Sequence, residues 1–388
     1  MKQLNKDRWL KSEIGSVSEE IKGKVINPAN SGCDKFIRPE DLEIGALYVK
    51  SFRTPEDVGS GKFCYNGDIL FTRRSVSVSQ FKRRSSIIKF DAVCSDEITV
   101  IRQDNKKLYP EYLNLILNTT QLWDYAISRS VGSVSKRINW KDLSKYTFKY
   151  PKEREKQKQI ASLFQSIETA MEQVDGQEKN LHKLKHKLLK DLFSEKQEFG
   201  NHLKAKDFET VKFEKIAINI SERVEPKKTE LTTYVGLEHL DADSLIIQRT
   251  GTPDDVIGTK LKIYKGDIIF GKRRAYLRKV AVSHFDGIAS AHSMILRANE
   301  KNIEKDFLPY FMQSDTFMSR AVQISEGSLS PTIKNKTLAV QEFFLPKKEK
   351  QKELISVFKQ FDTTMEQLKQ QKRTLKHLKQ KLLNEILG

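Results

Sequence analysis

Gln157–Phe193 reads QKQIASLFQSIETAMEQVDGQEKNLHKLKHKLLKDLF, and Gln351–Leu387 reads QKELISVFKQFDTTMEQLKQQKRTLKHLKQKLLNEIL. The second stretch lies 194 residues after the first, and 15 of the 37 aligned positions are identical without a gap. A repeat of this length settles the architecture before any single element does. In the first copy Ile160, Ile167, Val174, Leu181 and Leu188 fall seven apart; in the second Leu354, Phe361, Leu368, Leu375 and Leu382 do the same. A further apolar row follows three or four residues on, through Phe164 and Met171 and through Phe358 and Met365. A sustained seven-residue period keeps one apolar stripe on one face and favours pairing with another helix. No proline interrupts either run. The spacing predicts two helices of about 55 Å each that form an antiparallel coiled coil along those ten seam positions. A plain helical bundle is the blander alternative, and the regular register favours the coiled coil.

The segments that flank the helices repeat as well, more loosely. Tyr65-Asn66-Gly67-Asp68-Ile69-Leu70-Phe71 has a counterpart in Tyr264-Lys265-Gly266-Asp267-Ile268-Ile269-Phe270. Each is a turn signal followed by a short apolar run, the pattern of a buried strand. Phe90-Asp91 parallels Phe285-Asp286, Val100-Ile101-Arg102 parallels Ile295-Leu296-Arg297, and Gly132-Ser133-Val134-Ser135 parallels Gly327-Ser328-Leu329-Ser330. Pro151 and Pro346 stand before the two helices. In the first segment strands are expected at Leu47–Phe52, Ile69–Phe71, Ile87–Phe90, Ile98–Arg102 and Leu143–Tyr150, with one helix over Glu111–Arg129. The plan is two mixed α/β domains (residues 1–150 and 194–345), each followed by a long helix (151–193 and 346–388), with pseudo-twofold repetition.

The chain carries a formal net charge of +18 in 388 residues, which points to a polyanionic partner. No apolar run is long enough to cross a bilayer and MKQLNKDRWLKSE has no signal-peptide pattern, so a membrane partner is not expected and a cytoplasmic location is. Three cysteines, Cys33, Cys64 and Cys94, lack CxxC spacing and fit a reducing compartment.

The sequence carries no catalytic pattern of the common kinds. Gly59-Ser60-Gly61-Lys62 lacks the spacing and hydroxyl of a phosphate-binding loop, no GxGxxG follows a strand, and no Pro-Pro tetrapeptide of the amino-methyltransferase kind occurs. His182 and His186 have metal-ligand spacing on a helix but no visible third ligand, so no metal site is expected. Asp68 and Asp267 suit backbone capping at their turns better than acid–base chemistry.

The basic runs are more informative. Arg73, Arg74 and Ser75 lead to Lys82, Arg83 and Arg84; the second domain has Lys272, Arg273, Arg274, Tyr276 and Arg278 at the matching place. Lys136 and Arg137 follow the Gly-Ser loop of the first domain. A solvated basic loop would account for either run alone. Recurrence after the same buried strand favours DNA contact, with Arg and Lys meeting phosphates and a few side chains reaching base edges.

In this order of parts the chain resembles the DNA-specificity subunits of type I restriction–modification systems. The resemblance rests on Pro151, Glu155-Lys156-Gln157, Ile160, Glu168 and the run Leu188–Phe193, and again on Pro346, Glu349-Lys350-Gln351, Asp362 and the run Leu382–Leu387. Two details depart from the commoner pattern: a lysine separates Glu from Gln, and Glu168 stands where aspartate is usual. The resemblance implies a non-catalytic subunit without cofactor, whose two target-recognition domains each read one half of an asymmetric double-stranded DNA site. It implies helices that space the readers and dock two methyltransferase subunits using S-adenosylmethionine, with restriction–translocase subunits using ATP and Mg2+. A specificity subunit for a single-protein enzyme of another type is a close rival. A basic coiled-coil scaffold that holds nucleic acid without reading it is the alternative of a different class.

Overall fold

The structure, a computed structural model, describes residues 6–56, 58–74, 84–132, 136–193 and 203–388. It divides into two units: Met1–Gly176 with Leu368–Gly388, and Gln177–Gln367. Each unit contains one α/β domain and a segment of each long helix.

In the first unit the all-apolar run Ile69-Leu70-Phe71 explains the layering. Strand Ile69–Thr72 lies inside a four-stranded antiparallel sheet, between Ile98–Gln103 and Ser85–Ile87, with Ser18–Ile21 at the far edge. Side chains alternate across a strand. Ile69, Phe71 and Ile101 therefore enter a core shared with helices Tyr112–Leu117 and Thr120–Ser128, where Phe71 stacks on Trp123 with ring centroids 4.7 Å apart. Leu70 and Val100 face the other way, into a core that includes Ile37, Cys64, Ala92 and Cys94 from a second sheet. That sheet runs Lys24–Ile26, Ser60–Cys64, Ala92–Cys94, Phe36–Ile37, its last pair parallel. Trp9–Glu13 pairs with Thr147–Pro151 as a separate antiparallel ribbon.

The second unit repeats this strand for strand. Its first sheet runs Ala217–Ile220, Met294–Ala298, Ile268–Phe270, Val280–Val282, and its second Arg223–Val224, Lys260–Ile263, Gly287–Ala289, Tyr234–Val235 with the last pair again parallel. Phe208–Lys212 pairs with Glu342–Pro346. Ile268 and Phe270 face the helical core and Ile269 the second sheet.

Four sequence expectations need correction, the first being the strand over Ile87–Phe90, which lies earlier, at Ser85–Ile87, where it pairs with Ile69–Phe71. The helix over Glu111–Arg129 is two helices. Thr119 adopts an extended backbone and its side chain caps the second helix by accepting from Leu122 N at 3.4 Å. Ser314 breaks the equivalent helix in the same way, accepting from Phe317 N at 3.2 Å. The strand over Leu47–Phe52 shrinks to one bridge, Tyr48 with Ile87, because Ile88 donates back to Asp68 O and no strand continues beside it. Leu143 ends a single helical turn, Trp140–Leu143, and the strand begins only at Thr147.

The long helices are Arg154–Leu192 and Lys348–Leu387. In the first unit Glu168 of the first helix pairs with Lys379 of the second, and Asp175 with Lys372. Seven residues forward on one helix match seven back on the other, so the helices run antiparallel. Ile160, Ile167, Val174, Leu354 and Leu382 are buried, and Leu181, Leu188, Phe361, Leu368 and Leu375 are half-buried. Phe164 and Phe358, from the second apolar row, are more deeply buried than any of these ten, because they pack into the domain cores. No helix among the described residues is long and apolar enough to cross a membrane.

Candidate nucleic-acid interface

Each domain fixes its buried strand with the aspartate of the preceding turn. Asp68 accepts from Tyr65 N at 2.9 Å and takes a two-pronged contact from Arg102 at 2.8 and 2.9 Å. Asp267 accepts from Tyr264 N at 2.9 Å and from Arg297 at 2.7 and 3.1 Å. Both carboxylates are buried, so these forked pairs hold the turn rigidly where the strand begins. Both aspartates thus cap backbone.

At the far end of the strand the basic residues emerge. Arg73 sends Nη2 to Asp96 O at 2.7 Å, and Arg74 sends Nη1 to Glu97 Oε1 at 2.8 Å. The loop that carries Lys136 and Arg137 is drawn alongside: Ile138 N donates to Arg73 O at 3.0 Å, and Arg137 bridges Arg74. Arg137 also closes a two-way bridge with Val131 around Gly132, whose φ of +121° suits glycine. Two basic clusters about 60 residues apart in sequence therefore form one surface.

The second domain builds the same juxtaposition. Ile333 N donates to Lys272 O at 3.0 Å, Arg274 N donates to Pro331 O at 2.8 Å, and Arg273 bridges Thr332. Glu326 and Thr332 close the loop around Gly327, φ +105°. Arg274 Nη2 donates to Ser330 Oγ at 3.2 Å. Lys272 is half-buried; burial first, then Arg223, lowers its ammonium below the ordinary lysine value. Ala275–Leu277 forms one turn flanked by Arg274 and Arg278, both left-handed at φ 57° and 54°. Ala275 is buried and Tyr276 stands exposed at the tip.

Three of the basic residues make inward contacts. Arg84 donates from Nη1 to Pro39 O, and Lys279 at the same place in the second domain donates from Nζ to Leu237 O at 2.6 Å. Arg278 donates to Asp243 at 2.7 Å, to Asp315 at 2.9 Å and to Gln313 O at 2.6 Å. These contacts make Arg84 and Arg278 braces of the loops that present the others. Ser75, Lys82 and Arg83 lie outside the described residues.

Sequence reasoning passed over His292, whose Nε2 lies 3.2 Å from Arg273 Nη1, and Leu329, exposed at the tip of the second loop. His292 stands five residues before Arg297, as Glu97 stands five before Arg102. That offset was the available signal. His186 meets Asp315 at 3.2 Å, and among the described residues no cluster of His, Cys, Asp and Glu could hold a metal ion.

Comparison with known proteins bears on family and fold. A family model, the type I restriction modification DNA specificity domain, matches residues 6–183 and again 207–377. The type I restriction enzyme EcoDI specificity subunit of Escherichia coli is 26% identical over 179 residues, 45% of this chain and 40% of that protein. The chain thus matches less than half the length of this curated relative. A chain from a structure described as the basis of complex assembly and conformational transition of the type I R-M system has a TM-score of 0.60 at 14% identity, with 97% of both chains covered. The S subunit of a type I restriction-modification system from M. genitalium has a TM-score of 0.56 at 16% identity, covering 100% of this chain and 98% of the other. At such identities the structural likeness speaks to the fold.

Proposed function

Because the chain belongs to the type I restriction–modification DNA specificity family, we propose that it binds double-stranded DNA and reads an asymmetric, bipartite site, one half with each domain. Arg73, Arg74, Lys136 and Arg137 contact DNA in the first domain, joined there by Ser75, Lys82 and Arg83. Lys272, Arg273, Arg274 and Tyr276 do so in the second. Arg84 and Arg278 position those loops. The paired helices act as spacer and as docking platform for two methyltransferase subunits, to which restriction–translocase subunits add. S-adenosylmethionine, ATP and Mg2+ belong to those partners, and this chain supplies address, not chemistry.

The observation that carries this reading is the repeated juxtaposition of a basic post-strand segment with a Gly-Ser loop, at Arg74–Arg137 and at Arg273–Thr332. The main-chain frame is the same twice while the side chains differ, which suits two readers of different half-sites. Cationic groups capture duplex of any sequence in a salt-dependent way. Discrimination then comes from the few side chains that reach base edges, each good two-pronged pair contributing about 1–3 kcal/mol.

The test is selection from a random duplex pool by the full chain together with its modification subunits. Enrichment of a two-part, non-palindromic motif is expected. Uniform retention without a motif would instead support a basic scaffold that holds nucleic acid without reading it.

A further inference from the structure

Arg74 and Arg273 occupy the same place in their domains and meet opposite neighbours. Each stands three residues after the phenylalanine of the buried strand, Phe71 or Phe270, and each faces the position five before the arginine that holds the turn aspartate. In the first domain that position is Glu97, which accepts from Arg74 Nη1 at 2.8 Å. In the second it is His292, whose Nε2 lies 3.2 Å from Arg273 Nη1. A guanidinium has donors and no acceptor, so the imidazole accepts through Nε2 and is neutral in this arrangement. Lys272 from the same segment and Lys260 from strand Lys260–Ile263 are the other charged groups that act on it, and Ser290 Oγ accepts from its backbone N at 3.3 Å. Burial first, then Arg273, Lys272 and Lys260, hold the imidazole below the ordinary histidine value. The ring is nevertheless exposed.

A neutral ring in contact with a guanidinium, with Lys272 and Lys260 adding positive potential, is a site suited to an anion. We infer that Arg273 and His292 form a phosphate clamp in the second domain that takes up one proton from solvent as it closes on a duplex, and that in the first domain the ion pair with Glu97 must open before Arg74 reaches a phosphate, with no proton taken up. The inference rests on the DNA-binding reading above. A bound phosphate supplies the negative charge that the surrounding cations leave unbalanced. The imidazole gains a proton at Nε2, Arg273 turns its N–H to the phosphate, and both groups then donate to phosphate oxygens. In the first domain Arg74 must first leave a carboxylate.

The direction of the pH dependence follows. Phosphate raises the histidine pKa in the complex above that of the free chain, so the gain in affinity is complete below the free-chain value. It is lost as pH rises through the value in the complex. One proton limits the slope to about tenfold per pH unit.

The experiment measures affinity of the full chain for a short duplex of arbitrary sequence, at fixed ionic strength, from about pH 5.5 to about pH 8. Expected are affinity that falls with rising pH, a His292→Gln chain whose profile is flat, and a Glu97→Gln chain that binds several-fold more tightly across the range. Thermal unfolding of the variants checks that both fold, as the exposure of the two positions leads one to expect. A pH profile that survives His292→Gln, or affinity indifferent to Glu97→Gln, overturns the clamp while leaving DNA binding standing. A wild-type chain that binds no duplex at any pH, alone or with its modification subunits, removes the DNA-binding reading and the clamp with it.

Discussion

Lys379 donates to Glu168 Oε2 at 2.6 Å, with both side chains almost wholly buried between the two long helices. The pair has a twin. A shift of 194 residues turns Glu168 into Asp362 and Lys379 into Lys185, and Lys185 donates to Asp362 Oδ1 at 2.6 Å in the second unit. Each ammonium finds a second acceptor in its own unit, Gly45 O at 2.6 Å for Lys379 and Gln313 Oε1 at 3.3 Å for Lys185. Each carboxylate has further support too, Lys50 at 3.3 Å from Glu168 and the Tyr310 hydroxyl donating to Asp362 at 2.7 Å. Burial pushes the Lys379 ammonium down from its ordinary value, and the Glu168 charge offsets part of that. The repeat thus preserves a charged cross-helix contact with opposite chain order in the two units. A slip of either helix would leave a charge in the apolar stripe, so the pairs fix register.

Breaking one partner should therefore cost more than deleting both. Lys379→Met leaves Glu168 buried beside Lys50 alone and is expected to destabilise the first unit by about 3–5 kcal/mol. The double change Lys379→Met with Glu168→Leu should recover most of that deficit. Chemical denaturation of the three chains measures both. A double variant no more stable than the single one would mean that the pair contributes through its hydrogen bonds and not through charge compensation.

The helices are tied to their domains by another repeated residue. Gln157 accepts from Tyr109 N at 2.8 Å and donates to Pro151 O at 2.8 Å. Gln351 accepts from Glu304 N at 2.8 Å and donates to Pro346 O at 2.9 Å. Both amides are buried. Gln157→Ala or Gln351→Ala strands a backbone donor and acceptor, each worth about 1–3 kcal/mol when buried unpaired. Amide hydrogen exchange should quicken at Tyr109 in the first variant and at Glu304 in the second. Unchanged exchange at those two amides would refute the anchoring role.

These contacts mark what the sequence could and could not disclose. Gln157, Gln351, Pro151 and Pro346 were visible as repeated letters, and their bond pattern explains why they recur. Ile69-Leu70-Phe71 was legible as a buried strand because all three side chains are apolar, and both faces are indeed covered. The break at Thr119 was hidden, since an extended cap inside an apolar helical pattern leaves the periodicity almost intact. The meeting of Arg74 with Arg137 was hidden for another reason. It depends on a non-local backbone bridge, and no spacing rule connects residues that far apart. The partners of Arg278 were hidden too: a basic residue in a basic run reads as unpaired surface, and only the positions of Asp243 and Asp315 show what it bonds.

Glu111 gives a dependence on acid. Burial alone would raise its carboxyl, but hydrogen bonds from Lys89, Gln165 and Tyr48 outweigh it and hold the group below the ordinary glutamate value. A depressed carboxyl contributes stability that is present above the unfolded value, about 4.3, and is lost as pH falls through the lower folded value. Between about pH 6 and about pH 3 the wild-type chain should lose more stability than Glu111→Gln. Parallel acid titrations of the two chains, followed by circular dichroism, would show equal declines if this group were not linked to folding.

Arg137 and Tyr276 separate capture from reading. The backbone of Arg137 is fixed by its bridges to Arg74 and Val131, so Arg137→Ala removes the exposed guanidinium without disturbing the frame. On the proposed role of that guanidinium at phosphate, affinity should fall equally on every sequence, and the slope of log affinity against log salt should shrink by about 1. Tyr276 is uncharged and 53% exposed at the tip of its turn. Tyr276→Ala cannot release counterions, so the salt slope should stay as it is while preference relaxes at one half-site only. Salt titrations on matched and mismatched duplexes, combined with selection from random pools, distinguish the two effects. An enriched motif unchanged by Tyr276→Ala would remove this residue from the reading surface. A salt slope unchanged by Arg137→Ala would move phosphate capture in the first domain to the other basic residues of that loop pair.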